Sequence, residues 1–250
     1  MNDFRSFMVG LSKFSEEFKK WAETIDWKAV HDRMEYLVND LPDDIEAESI
    51  KLMNRGWFIW FLDETMPEFS KKMNALVGKS EHEQDSYMSE YVEENISEFE
   101  YELCRAYPGR KNQVEDAFKS HHSGIYFSSI PTFLALSEGI GRELYPGIGI
   151  FAKHKLKSSK SGLPRTDDIF DSISGLEVFE TSVLKPLRVS SDVTKTIHNP
   201  TESEKKLLNR HLIMHGNSSL YGSKENSLKA ISLVYFVHKS LEHLKNAAST

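Results

Sequence analysis

Cysteine is nearly absent from this chain: Cys104 stands alone among 250 residues. One thiol closes no internal disulfide and builds no cysteine-rich zinc site, so a reducing, cytoplasmic setting is expected; with the motifs below absent, no metal or cofactor is expected either. Long apolar runs are missing too. The longest, Trp57-Phe58-Ile59-Trp60-Phe61-Leu62, has six residues. A membrane-crossing helix needs about 20, so no membrane association is expected. The opening Met1-Asn2-Asp3-Phe4-Arg5 lacks a basic stretch leading into an apolar core, which argues against a secretory signal. Several catalytic signatures are also absent, namely GxxxxGK[ST], HExxH and GxSxG. Gly139/Gly141 and Gly147/Gly149 lack the strand–turn–helix setting of a nucleotide loop. Pro42-Asp43-Asp44 resembles the start of a metal-dependent nuclease motif, but no Glu-x-Lys follows at a useful distance. It reads as a polar turn between helices. His121 and His122 are adjacent, so on a helix they point apart and make a poor metal pair. No alternating strand pattern of useful length occurs.

What the chain has is aromatic and helical. With 39% hydrophobic residues, including 15 Phe, 9 Tyr and 4 Trp, it buries a core and is not disordered. Charge is uneven. Residues 1–105 carry 24 acids and 12 bases; residues 106–250 carry 14 and 19. The later part is therefore the one suited to approach a polyanion.

Apolar residues recur at helical spacing along most of the chain. Phe14, Phe18, Trp21 and Ile25 make one stripe, and Val30, Met34, Leu37 and Leu41 the next. A further helix is expected to start near Asp44. The aromatic run 57–62 should be buried, and Pro67 interrupts it. Val92, Ile96, Phe99 and Leu103 mark a helix that ends at Pro108-Gly109, the expected boundary between an N-terminal helical region, 1–108, and a second domain, 109–250. Val114, Phe118, His121 and Ile125 follow. Ser129-Ile130-Pro131 reads as a helix start, with Phe133, Leu136, Ile140 and Leu144 along one face. Residues 153–165 read as a basic loop. Ile169, Ile173, Leu176, Phe179 and Val183 predict another helix. Two more are expected near 202–215 and 224–245, with Gly216 at a C-cap. The fold class is all-α, a helical bundle.

One segment carries chemistry: Asn209-Arg210-His211-Leu212-Ile213-Met214-His215-Gly216. Arg210 and His215 form the single Arg-x4-His in the chain. On a helix they lie about 140° apart, a gap that a long arginine spans. His215 lines up with Leu208, His211 and Leu212, which predicts a packed interface. It falls in the last turn, where the helix dipole favours a cation. A histidine beside a fixed guanidinium suits phosphodiester cleavage: the imidazole moves a proton and the arginine holds the phosphate. From spacing alone, a packed interface histidine and a surface arginine are the plainer reading.

The surrounding phrases add to this. Residues 109–250 resemble the HEPN superfamily, whose signature is Arg, a polar residue, three to five others, then His. The resemblance rests on Arg210-His211 through His215 and on three phrases: Ser123-Gly124-Ile125-Tyr126-Phe127-Ser128-Ser129-Ile130-Pro131, Leu134-Ala135-Leu136-Ser137-Glu138-Gly139-Ile140 and Tyr221-Gly222-Ser223-Lys224-Glu225-Asn226-Ser227-Leu228-Lys229. It implies a bundle of four or more helices and a homodimer whose two motifs meet at one composite site. The implied activity is metal-independent endoribonuclease cleavage through attack of the RNA 2′-hydroxyl, in a toxin or antiphage effector. Arg210 and His215 carry over as catalytic residues, His211 as the orienting polar residue and Asn209 as a helper. Tyr221 and Lys224 are candidates to line the RNA site. Lys153, Lys155 and Lys157, in a stretch with Lys160 and Arg165, are candidates for the RNA backbone, although a solvated loop is the plainer explanation. Residues 1–108 match no family and are expected to restrain the nuclease, sense a trigger or extend the dimer, with a regulatory partner protein one way to do so. Two other readings stay open: a non-catalytic HEPN-like dimer that binds a nucleotide or a partner protein, and a structural adaptor with a dry, packed motif.

Overall fold

The computed structural model describes residues 19, 24, 26–155, 158–171 and 173–249, and only the backbone of Arg33, Met34, Leu37, Val38 and Met66. The stripe Phe14, Phe18, Trp21 and Ile25 lies outside the described residues, as does Lys157. The fold is all-α. Among the described residues there is no β-strand, only an isolated antiparallel bridge between Lys153 and Pro164. No helix there is long and apolar enough to cross a membrane.

Two compact units are present, Met1–Pro42 and Asp43–Thr250. In the first, helix α1 (Trp27–Asn39) is capped by the Asp26 carboxylate, which accepts from the Ala29 amide at 3.0 Å. Helix α2 (Leu41–Asn54) starts with Pro42 in its first turn, where the missing N–H would be unpaired anyway. Leu41 thus opens a new helix and does not close the earlier stripe.

The larger unit adds α3 (Met66–Asn74), α4 (Glu81–Ala106), α5 (Lys111–His122), α6 (Tyr126–Leu144), α7 (Asp167–Phe170), α8 (Val178–Val183), α9 (Arg210–Met214) and α10 (Lys224–Ala247). Helix α10 is its centre. Every residue from Asn226 to His238 is buried, because Ala230-Ile231 and Leu233-Val234-Tyr235-Phe236-Val237 put apolar groups on all faces. Its main partners are α6 and α4, and α5 packs on both of these. The turn at Pro108-Gly109 therefore lies inside this unit, between two helices that touch.

Five local expectations change. The aromatic run is buried, with Trp57, Phe58, Ile59, Trp60 and Phe61 all in the core, but it is irregular. Its polar atoms are satisfied one by one. The Trp57 indole donates to Asp85 at 2.9 Å, and the Phe58 amide donates to Ser232 Oγ at 3.2 Å. Pro67 starts α3, behind a Thr65–Glu68 capping box. Pro131 lies inside α6, which begins at Tyr126. It has no amide for the Phe127 carbonyl one turn earlier, and the Tyr221 hydroxyl donates to that oxygen at 3.1 Å. The helix expected over 169–183 is two short pieces, α7 and α8, with Ile173 and Leu176 between them. The last change concerns 202–215. Only α9 and a 3₁₀ turn over Glu204–Lys206 are helical there, and Leu207 and Asn209 are extended.

His121 joins α5 to α10. Its Nδ1 lies 2.8 Å from Ser227 Oγ, which lies 2.8 Å from Ser129 Oγ of α6. Burial first, then the nearby His122 and Lys224, lowers this imidazole from 6.5 to about 4. The unfolded chain binds this proton more readily, so its contribution to stability is complete above pH 6.5 and is lost as pH falls towards 4. Urea unfolding should show a loss on the order of 2 kcal/mol between pH 7 and pH 4.5. The loss should shrink in His121→Gln. Equal pH dependence in the two proteins would contradict this role.

Candidate functional site

The Arg-x4-His segment is held from both ends. At its start Asn209 is buried and caps α9: its Oδ1 accepts from the Leu212 amide at 2.9 Å. Its Nδ2 donates to the carbonyls of Asp192 at 2.6 Å and Lys195 at 2.9 Å. The Arg210 amide donates to the Val193 carbonyl at 2.8 Å. A turn over Ser191–Thr194, in which each hydroxyl bonds the other's backbone, supplies these carbonyls. Asn209 is thus a positioning residue whose polar atoms are engaged within the chain.

At the other end Gly216 takes φ +69°, a left-handed conformation that suits glycine. The Asn217 amide returns to the Leu212 carbonyl at 2.8 Å and the Gly216 amide to Ile213 at 3.2 Å. This pair of bonds is a Schellman ending, so Gly216 serves as expected. Helix α9 has five residues and His215 caps it. So short a helix has little dipole to offer at its C-terminus.

Between these anchors the motif faces outward. Leu212 and Ile213 are buried, Arg210 and His211 half-buried, and His215 and Met214 exposed. Within this chain His215 is therefore not at a packed interface. The Arg210 guanidinium lies over the Phe151 ring, 5.8 Å from its centroid. The His211 and His215 rings are 4.8 Å apart. A third ring, His198, approaches His211 at 5.9 Å. Burial, then the neighbouring His215, His198 and Arg210, holds the His211 imidazole below its ordinary value. Its Nδ1 is buried and has no hydrogen-bond partner among the described residues.

The other candidates divide. Lys153 is half-buried, and burial together with Lys195 lowers its ammonium. That interaction brings it towards the loop that anchors the motif. Lys155 is exposed. Lys160 is consumed by Asp167, Asp168 and Asp171, at 2.9, 3.3 and 2.6 Å. Lys224 pairs with Glu93 of α4 at 2.7 Å. Tyr221 packs edge-on against Phe127, with ring centroids 5.1 Å apart, and its hydroxyl completes α6. Gly222 is required beside it, since a Cβ there would lie 2.5 Å from the Phe127 ring. Tyr221 therefore serves the fold at this point through its hydroxyl and its ring contact with Phe127. His198 and Lys195 escaped the sequence reading because neither sits on an apolar repeat. The one signal was Asn199-Pro200, a turn dipeptide next to a histidine.

No group of three or more His, Cys, Asp or Glu suited to a metal occurs among the described residues. No family model, curated protein or solved structure matches the chain. Removing the Asn209 side chain tests the anchoring directly. Asn209→Ala should cost about 2 kcal/mol in chemical denaturation, from a lost cap and two orphaned carbonyls. A change within 0.3 kcal/mol or so would show that the loop and helix hold each other without it.

Proposed function

We propose that this chain is a metal-independent endoribonuclease of the HEPN kind, acting in the cytoplasm as a toxin or antiphage effector. The observation that carries this reading is the joint presentation of Arg210, His211 and His215 at the surface on an anchored five-residue helix. A dry, packed motif, as a structural adaptor would have, is a poor description of an exposed His215.

In this reading Arg210 binds the scissile phosphate and the charge that grows on it. Phe151 steadies the guanidinium. His215 transfers a proton, and His211 sits between them as the orienting group. The RNA 2′-hydroxyl attacks phosphorus, leaving a 2′,3′-cyclic phosphate and a 5′-hydroxyl. The motif is fringed by exposed apolar side chains, Leu207, Met214 and Leu220. Such a fringe fits a self-complementary contact in a homodimer with a composite site. Lys153 and Lys155 supply charge for the RNA backbone. Glu93 already neutralises Lys224, which supports a restraining role for the acidic chain before residue 109.

Purified protein incubated with total RNA in EDTA should cut it, leaving cyclic phosphate ends. Arg210→Ala and His215→Ala should each reduce cleavage by about 100-fold or more. Both should leave thermal stability nearly unchanged, since neither side chain is in the core. Cleavage that survives both substitutions would overturn the reading. RNA or nucleotide binding without any cleavage would favour the non-catalytic dimer.

A further inference from the structure

His198 lies outside the Arg-x4-His motif, on the exposed loop after Lys195. Three features tie it to the site. Its ring meets His211 edge-on, with centroids 5.9 Å apart, on a ring that also touches His215. The loop is clamped to the motif through the Asp192 and Lys195 carbonyls that Asn209 holds. The residue after it, Asn199, is the one non-glycine with positive φ among the described residues, at +56°. It directly precedes Pro200. A left-handed residue before proline is an unfavourable backbone, and such strain persists where the surroundings impose it, often at functional sites.

We infer that His198 is the second proton-carrying imidazole of the cleavage site, working in the same subunit as His215. This rests on the ribonuclease reading above. Transesterification needs two proton transfers. One imidazole, neutral at the start, accepts the 2′-hydroxyl proton as the 2′-oxygen forms its bond to phosphorus. The other, protonated at the start, donates to the 5′-oxygen as the phosphorus–5′-oxygen bond breaks. The products are a cyclic phosphate and a 5′-hydroxyl, and the two imidazoles have exchanged protonation states. His198 supplies the second imidazole from within one subunit, on the ring contacts just described, so neither subunit depends on the other's His215 for the second transfer.

The surroundings suit this division of labour. Burial and the neighbouring imidazoles and guanidinium hold His211 below its ordinary value, and its ring lies against both of the others. The charged groups around the cluster are Arg210 and Lys195, with Lys153 acting on Lys195. The acids nearest Lys195 are Asp192, 3.8 Å away, and Glu204.

The test uses the full chain and two RNA substrates of one sequence, an ordinary oligonucleotide and one with sulfur replacing the bridging 5′-oxygen at the cut. A thiolate leaves without needing a proton. Wild type, His198→Gln, His198→Ala and His215→Ala are compared, each with its pH–rate profile. Both His198 variants should cut ordinary RNA about 100-fold more slowly and lose one limb of the profile. Exactly one of the two positions, 198 or 215, should recover near wild-type rate on the sulfur substrate, and that position is the acid. His198 variants that match wild type on ordinary RNA would overturn the inference while leaving the nuclease reading intact. So would loss at both positions without rescue of either. Inert wild type would refute the nuclease reading and this inference with it.

Discussion

Helix α10 is buried along most of its length, yet it carries Asn226, Ser227, Lys229, Ser232, Tyr235, His238 and Ser240. Burying a polar group without a partner costs more than most single contacts return. Lys229 and Ser240 bond to Glu225 and the Val237 carbonyl of the same helix; each of the others dictates where another element must lie. Asn226 donates to the carbonyls of Lys206 at 2.7 Å and Tyr221 at 2.9 Å. Ser227 gathers His121 and Ser129. Ser232 receives the amide of the irregular aromatic segment. Tyr235 and Lys239 reach Glu102 of α4, and His238 Nδ1 lies 2.9 Å from the Tyr107 hydroxyl. Apolar burial supplies the driving force, and these polar contacts select one arrangement from the many that the apolar surface alone allows.

The site inherits this order indirectly. Asn226 fixes the chain on both sides of the motif, at Lys206 and at Tyr221. Ser218 adds a bond to the Lys205 carbonyl. Asn209 then ties the short α9 to the loop over 191–195, and Gly216 closes it. The motif is an exposed element on a stiff base. Preorganisation of this kind is what charge stabilisation at phosphorus demands, since donors that must first reorganise lose most of their advantage.

How much of this was legible in the sequence follows from physics. The long helices were: Val92, Ile96, Phe99 and Leu103 all point into the core, as do Val114, Phe118 and His121. Periodicity records burial on one face, and these helices have one. Periodicity also misled. The apolar positions of 169–183 fit a helix, yet Gly175 takes φ +87°, outside helical space, between two short turns. Pro131 resembled a helix start because the missing amide is cheapest there. Its real position, inside α6, is tolerated because Tyr221 serves the freed Phe127 carbonyl from 94 residues away in sequence, a partner no local pattern reveals. The same limit hid His198. Arg210, His211 and His215 are close in sequence and could be read as a motif. His198 reaches them through a loop whose course is set by side-chain bonds to backbone carbonyls.

The central claim is that Arg210, His198, His211 and His215 form one phosphate-binding site. Its most direct measurement is NMR of the histidine rings during titration with a 2′-deoxy oligonucleotide, which binds as RNA would but lacks the attacking hydroxyl. The account predicts that the resonances of His198, His211 and His215 move together with one affinity. Those of the buried His121 and His238 should stay in place, and the movement should vanish in Arg210→Ala. Rings that stay fixed at saturating ligand, or that move just as far without Arg210, would contradict it.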